Sequence, residues 1–138
     1  MQVAIARDPK LSKTDHLFVV LAENSRPDLP VTSKALTKLL ESSGFVGRSD
    51  EAITAVADEP KKITLVGAGK EESLSIRGVR AALYKIGKIA KAQRDASIAV
   101  VVPYVLPKLT AVETTRLLAL ELSQVDYKYD AFITVKKD

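Results

Sequence analysis

Two runs of apolar, largely β-branched residues constrain this chain more than any other feature: His16 to Ala22 (HLFVVLA) and Ala96 to Val102 (ASIAVVV). A strand with one face in water alternates polar and apolar residues, and these runs do not alternate. Each is expected to be a strand buried on both faces, which requires a sheet covered by helices on either side. Two further strands are expected at Ala52–Ala57 and Ile63–Val66, with Asp58, Glu59 and Pro60 as the turn between them. Gln2 to Ala6 alternates weakly and reads as an edge strand. Asp8-Pro9 then opens a polar connection, and Ala131 to Val135 reads as the last strand before Lys136, Lys137 and Asp138.

The covering helices are legible too. Ala35, Leu36, Leu39 and Leu40 form one helical face within Thr32–Ser43, after a loop marked by Pro27 and Pro30. Thr32 or Ser33 can cap its start and Gly44 can close its end. Ile76 to Arg94 places Val79, Ala82, Leu83, Ile86, Ile89 and Ala90 on one side, and Arg77, Arg80, Lys85, Lys88, Lys91 and Arg94 on the other. After Pro103 and Pro107, Thr110-Ala111-Val112-Glu113 reads as a capping box opening a helix that runs to about Val125. Strands alternating with helices imply an α/β fold: a mixed sheet flanked by helices in three layers, with residues 1–138 as a single domain.

The 138 residues suffice for such a core; a chain of this size buries roughly two-thirds of its unfolded surface without disulfide or metal. The absence of cysteine excludes a disulfide framework, a zinc-finger spacing and a cysteine nucleophile. The charged start around Arg7, Asp8 and Lys10 is not a signal peptide, and no apolar run is long enough for a membrane span. A cytoplasmic location is the resulting expectation. The net charge of +4 is uneven: residues 1–60 hold seven Lys/Arg against nine Asp/Glu, and residues 61–138 hold fourteen against eight. A basic half can meet nucleic acid. The basic helix face has only Tyr84 interleaved for stacking, so a solvated Lys/Arg face is the expected reading.

Catalytic chemistry is sparse. His16 is the single histidine, and nothing local points to the hydroxyl raised on a turn, with an acid to orient the ring, that a triad needs. It is expected to be structural or merely exposed. Asp50-Glu51, Asp58-Glu59 and Glu71-Glu72 sit in expected turns, where paired carboxylates face water rather than hold metal. The sharpest local signal is Gly67-Ala68-Gly69-Lys70, expected to stop the strand that precedes it. Glycines between a strand and a helix can let backbone amides approach a phosphate, so Gly67, Gly69 and Lys70 form a candidate anion turn. The pattern departs from G-x-x-x-x-G-K-S/T, because Glu71 follows Lys70 and the first glycine is missing. It departs from G-x-G-x-x-G as well, because no glycine stands at the sixth place. Glu71 and Glu72 would oppose a phosphate, and a tight turn needing a left-handed glycine explains the same residues.

Three segments in order resemble one family. They are Gly44-Phe45-Val46-Gly47 with a strand through Ile53; Lys62-Ile63-Thr64-Leu65-Val66-Gly67-Ala68-Gly69-Lys70-Glu71-Glu72 leading to the long helix and ASIAVVVP; and Leu117–Glu121 followed by Tyr127-Lys128-Tyr129-Asp130-Ala131-Phe132. This order is similar to the amino-terminal domain of leucyl (cytosol) aminopeptidases, with its F-x-G, L-V-G-x-G-K-x-E and Y-x-F-D-x-Y/F segments. Tyr129 stands where Phe is commoner. The resemblance spans about Phe18 to Phe132. It implies a non-catalytic, macro-domain-like fold, a parent metallo-aminopeptidase that is usually hexameric, and a carboxy-terminal catalytic domain continuing past Asp138. That domain would hold two divalent metals (zinc, with manganese or magnesium exchangeable) in motifs such as N-T-D-A-E-G-R-L. No such motif occurs in this sequence, so no catalytic, cofactor or metal residue is carried over. Macro domains of other proteins bind ADP-ribose, which makes a free-standing nucleotide module, or a DNA-binding accessory domain, the alternatives. Independently of family, Tyr127, Tyr129 and Phe132 are expected to pack the last helix onto the sheet or to anchor a domain interface.

Overall fold

A computed structural model of the chain describes residues 2–5, 14–29, 33–57, 60–124 and 130–135. Six strands and three helices follow in order: β1 (Gln2–Ile5), β2 (His16–Glu23), α1 (Lys34–Ser42), β3 (Ala52–Val56), β4 (Lys62–Lys70), α2 (Ile76–Gln93), β5 (Ser97–Val102), α3 (Ala111–Ser123) and β6 (Asp130–Val135). A short 3-10 turn, Glu71–Ser73, separates β4 from α2. The strands form one sheet in the order β1-β6-β5-β2-β4-β3. Only β3 runs antiparallel, as the edge partner of β4.

Period-two alternation divides the buried strands between two cores. Leu17, Val19, Leu21, Ile63, Leu65, Ala99 and Val101 face α1 and pack with Leu36 and Phe45. Phe18, Val20, Val66, Ile98, Val100, Ala131 and Ile133 face the other way, against Val79, Leu83 and Ile86 of α2 and Leu118 and Leu122 of α3. Each such side chain, fully buried, contributes about 1.5–3 kcal/mol of transfer free energy, so both layers are needed to offset the entropy of ordering the chain. The result is the expected three-layer α/β sandwich.

The helices start where the sequence places their caps. The Ser33 hydroxyl accepts from the Leu36 amide at 3.3 Å. The Thr110 hydroxyl accepts from the Glu113 amide at 3.1 Å, while the Glu113 carboxylate accepts from the Thr110 amide at 3.3 Å. The last helix ends at Ser123 with Gln124 as its C-cap, two residues before the expected Val125. The alternative cap Thr32, the Asp58-Glu59 turn, and the aromatic residues Tyr127 and Tyr129 lie outside the described residues.

Two expectations are corrected. The glycines do not stop β4, which continues through them to Lys70. The reason is a second pairing surface: the Gly67 amide donates to the Glu51 carbonyl at 2.9 Å and the Gly69 amide to the Gly47 carbonyl at 3.0 Å. The loop of residues 44–51 thus acts as a partner for the distal half of β4. It comes so close that a Cβ on Gly67 would meet the Arg48 carbonyl oxygen at 1.8 Å. Phe132 is the second correction. It alternates with Ala131 and Ile133, which face α3, so it stands half-buried on the opposite face and does not pack that helix.

The Gly67 contact is backbone against backbone, so no side-chain rotation relieves it. Gly67→Ala is expected to lower unfolding free energy by at least about 2 kcal/mol, read from urea midpoints. A change within about 0.5 kcal/mol would show that the loop is not held against β4.

Candidate functional site

The candidate anion turn does not have the geometry its sequence allows. The amides of Gly67 and Gly69 are already committed to carbonyl groups of the neighbouring loop. Only Gly69 adopts a left-handed backbone, with φ +84. Lys70 is exposed and Glu71 and Glu72 follow it directly, also exposed. The next helix begins beyond them, with the Ser75 hydroxyl capping the Gly78 amide at 3.3 Å. A phosphate cradle needs free amides converging on one point, and here the strand has used them. Of the expected tight turn, the left-handed glycine is present at Gly69, while Gly67 serves a close backbone approach within the strand.

Free-pointing amides do converge one loop earlier. The amides of Val46, Gly47 and Arg48 donate to Oε1 of Glu51, at 3.1, 2.8 and 3.3 Å. Successive amides aimed at one point form an anion-binding concavity, and its occupant is the chain's own carboxylate. The Gly47 amide, followed by those of Val46 and Arg48 and the Arg48 charge, holds the Glu51 carboxyl below its ordinary value. The same loop is tied to β2 through the Asn24 amide, which donates to the Val46 carbonyl at 2.8 Å.

In an open parallel sheet, ligands bind beyond the carboxyl ends of the strands, where the chain order reverses. Here the chain goes from β4 across β2 to β5, so that place lies beyond β2 and β5. A cleft of about 340 Å³ sits there, lined by Pro27, Glu71, Glu72, Leu74, Pro103 and Tyr104 among others. Its two carboxylates disfavour a phosphate ligand. The Tyr104 hydroxyl occupies the end of β2, accepting from the Ala22 amide at 2.8 Å and donating to the Ser25 hydroxyl at 3.1 Å. Burial raises the Tyr104 pKa, so the phenol stays protonated.

The opposite end of the sheet holds a polar constellation that the local sequence did not reveal. His16 Nδ1 lies 2.7 Å from Oδ2 of Asp95, and Nε2 lies 2.5 Å from the Thr64 hydroxyl. Thr64 is in turn 2.8 Å from the Thr54 hydroxyl, and the Lys62 ammonium pairs with Asp95. One assignment satisfies every atom: Thr54 donates to Thr64, Thr64 to neutral His16, and His16 to the Asp95 carboxylate. Hydroxyl, imidazole and carboxylate thus stand in the order of a catalytic triad. However, His16 and Thr64 are both 0% exposed, and the site lies at the amino ends of the strands. No substrate reaches the hydroxyl. The network joins β2, β3, β4 and the start of β5, and the ring stacks on Phe18 at 4.0 Å between centroids. The signal available in the sequence was indirect: a buried histidine must find partners, and Thr64 within the strand Ile63–Val66 and Asp95 just before the run from Ala96 are two of several polar residues that could supply them.

Other candidates are structural. Arg80 of the basic helix face makes two bonds at 2.9 Å to the Glu121 carboxylate of α3. Lys85, expected in water, is half-buried and donates to the Ser49 carbonyl at 2.9 Å. Among the described residues, no group of three or more metal-ligating side chains is present, and no helix is long and apolar enough to cross a membrane.

The buried network has a pH signature. Burial, opposed by the Asp95 hydrogen bond, holds the His16 pKa below 6.5. The unfolded chain therefore binds a proton that the native state refuses. The resulting stability is complete above the unfolded value and is lost as pH falls below it. Relative to His16→Gln, the wild type is expected to lose stability between about pH 7 and 5, and the variant to be weaker by about 1–3 kcal/mol at pH 8. Parallel wild-type and variant curves in denaturant titrations would contradict the neutral assignment.

The profile of the cytosol aminopeptidase family, N-terminal domain, matches residues 21–136. No curated protein sequence matches the chain. Among solved structures, a mutant tomato leucine aminopeptidase superposes with a TM-score of 0.64 at 17% identity, covering 98% of this chain and 32% of that enzyme. The macrodomain of Thermus aquaticus DarG superposes with a TM-score of 0.61 at 12% identity, over 99% of each chain. The macrodomain of Mycobacterium tuberculosis DarG gives 0.61 at 15%, covering 96% of this chain and 97% of that one. These likenesses show a macro-like fold. The chain therefore spans about a third of the tomato enzyme's length, and with the profile match across most of its residues it belongs to the cytosol aminopeptidase family as that family's N-terminal domain.

Proposed function

We propose that residues 1–138 form one non-catalytic domain of a leucyl aminopeptidase, working beside a carboxy-terminal catalytic domain of the same protein. The family match over residues 21–136 carries this reading. In it, peptide hydrolysis belongs to the partner domain, where two divalent metals (zinc, or manganese or magnesium in exchange), when bound, would supply Lewis-acid chemistry. The described residues of this chain do not fit that role, since no three of their His, Asp and Glu side chains come together. The domain's part is to shape access to the active site and to support a cytoplasmic homohexamer. Phe132, half-buried on the face away from α3, is suited to such a contact. The test is hydrolysis of leucyl-p-nitroanilide by the isolated 138-residue chain with added zinc or manganese. No turnover is expected. Activity that co-purifies with the chain through successive columns would overturn the reading.

The macro-like fold also raises a nucleotide-binding reading, because fold alone does not carry function. Glu71 and Glu72 in the cleft and the committed amides of Gly67 and Gly69 argue against it. Calorimetric titration with ADP-ribose is expected to give no binding heat at millimolar ligand; a saturable isotherm would favour the nucleotide module. A nucleic-acid role through α2 has Arg77, Lys88, Lys91 and Arg94 exposed for it, while Arg80 and Lys85 are engaged within the domain.

A further inference from the structure

The loop between α1 and β3 is built as a receptor. Three successive amides, of Val46, Gly47 and Arg48, aim at one carboxylate oxygen, at 3.1, 2.8 and 3.3 Å. Donors arranged this way are a general device for oxyanions, and they are costly to leave without an acceptor. The receptor is rigid for reasons that do not involve its occupant. The Val46 carbonyl accepts from the Asn24 amide, the Gly47 carbonyl from the Gly69 amide, and the Glu51 carbonyl from the Gly67 amide. A Cβ on Gly47 would meet the Ala22 carbonyl oxygen at 2.5 Å, so the loop also sits hard against the end of β2. The occupant is the carboxylate at the end of the Glu51 side chain. It reaches the receptor from the residue just before β3, and it is only partly covered.

We propose that the amides of Val46, Gly47 and Arg48 form an oxyanion receptor whose resident ligand is the Glu51 carboxylate, and which takes a free carboxylate such as formate when that side chain is removed. The wild-type domain is closed to external anions at this place because its own sequence supplies one at very high effective concentration. The Arg48 side chain, next to the receptor, adds a positive charge that acts on Glu51. Asp50, the next carboxylate along the loop, is exposed, and no bond joins it to the three amides among those described here. The occupied receptor holds residues 46–48 in the conformation that completes β4's second pairing surface. It thereby couples a surface carboxylate to the backbone contact at Gly67.

The experiment uses the full 138-residue chain and two variants, Glu51→Ala and Glu51→Gln. Thermal midpoints are measured in chloride and in formate at equal ionic strength, with phosphate as a third arm. Glu51→Ala is expected to melt lower than wild type in chloride and to recover most of that loss in formate with a saturable dose dependence. Wild type is expected to show no such recovery, and Glu51→Gln, which retains a carbonyl oxygen for the receptor, little of it. The Gly47 amide resonance reads the site directly. It is expected to move upfield in Glu51→Ala and to return along a binding curve as formate is added. Recovery with phosphate as well as formate would extend the receptor to oxyanions in general. Equal midpoints of Glu51→Ala in chloride and in formate, an identical formate response in wild type, or a Gly47 amide that does not move in Glu51→Ala would each overturn the proposal. If Glu51→Ala does not fold in chloride, its folding in formate alone supports the receptor, and failure in both overturns it.

Discussion

Strand β2 is hydrogen-bonded on both edges and buried on both faces, and every layer of the domain is placed by that fact. It pairs with β4 from His16 opposite Lys62 to Leu21 opposite Gly67, and with β5 from His16 opposite Ile98 to Val19 opposite Val101. Because its side chains alternate, one strand supplies Leu17, Val19 and Leu21 to one core and Phe18, Val20 and Ala22 to the other. A one-residue slip would exchange the two sets and mismatch both cores at once. The helices occupy the only places left to them: α1 over one face, α2 and α3 over the other.

The two ends of this strand are finished in different ways. At the amino end, the buried imidazole of His16, the Thr64 hydroxyl and the Asp95 carboxylate satisfy one another and are joined from the surface by the Thr54 hydroxyl and the Lys62 ammonium. Such a network is stabilising only when each member is paired, and it then specifies one arrangement of the strands it joins. At the carboxyl end, where a fold of this kind offers its ligand site, the donors are consumed internally. Tyr104 accepts from the end of β2, the Glu51 carboxylate fills the loop amides, and Gly67 and Gly69 are paired with the loop backbone. A macro-like scaffold is thus compatible with a domain whose contribution is structural.

Much of the architecture was legible because it rests on local rules. The two β-branched runs read as strands buried on both faces, the apolar stripe on residues 76–94 as a helix, and Thr110 with Glu113 as a capping box. The misread segment, Gly67 to Lys70, looks locally like a strand end, because glycine is a poor strand former. Its actual role depends on the Arg48 carbonyl, which is adjacent only in the folded chain. The same holds for the network around His16: its partners Asp95 and Thr64 lie 79 and 48 residues away. Phe132 was read from its neighbours in sequence, whereas its direction follows from the parity of its position in β6. Periodicity carries information about which face a residue occupies, and none about which distant backbone will come to meet it.

The parallel pairing of β2 also has a consequence for synthesis. The run from His16 to Ala22 leaves the ribosome long before β5, its partner on one edge, has been translated. At roughly 5–20 residues per second, the interval is on the order of ten seconds. For that time the edge of β2 that will meet β5 has no partner, although β4 and α1 emerge earlier. Long-range pairings of this kind fold slowly. The window makes the nascent domain dependent on being shielded until Val102 has emerged, so the feature that makes the folded sheet secure is also the one that makes its birth hazardous.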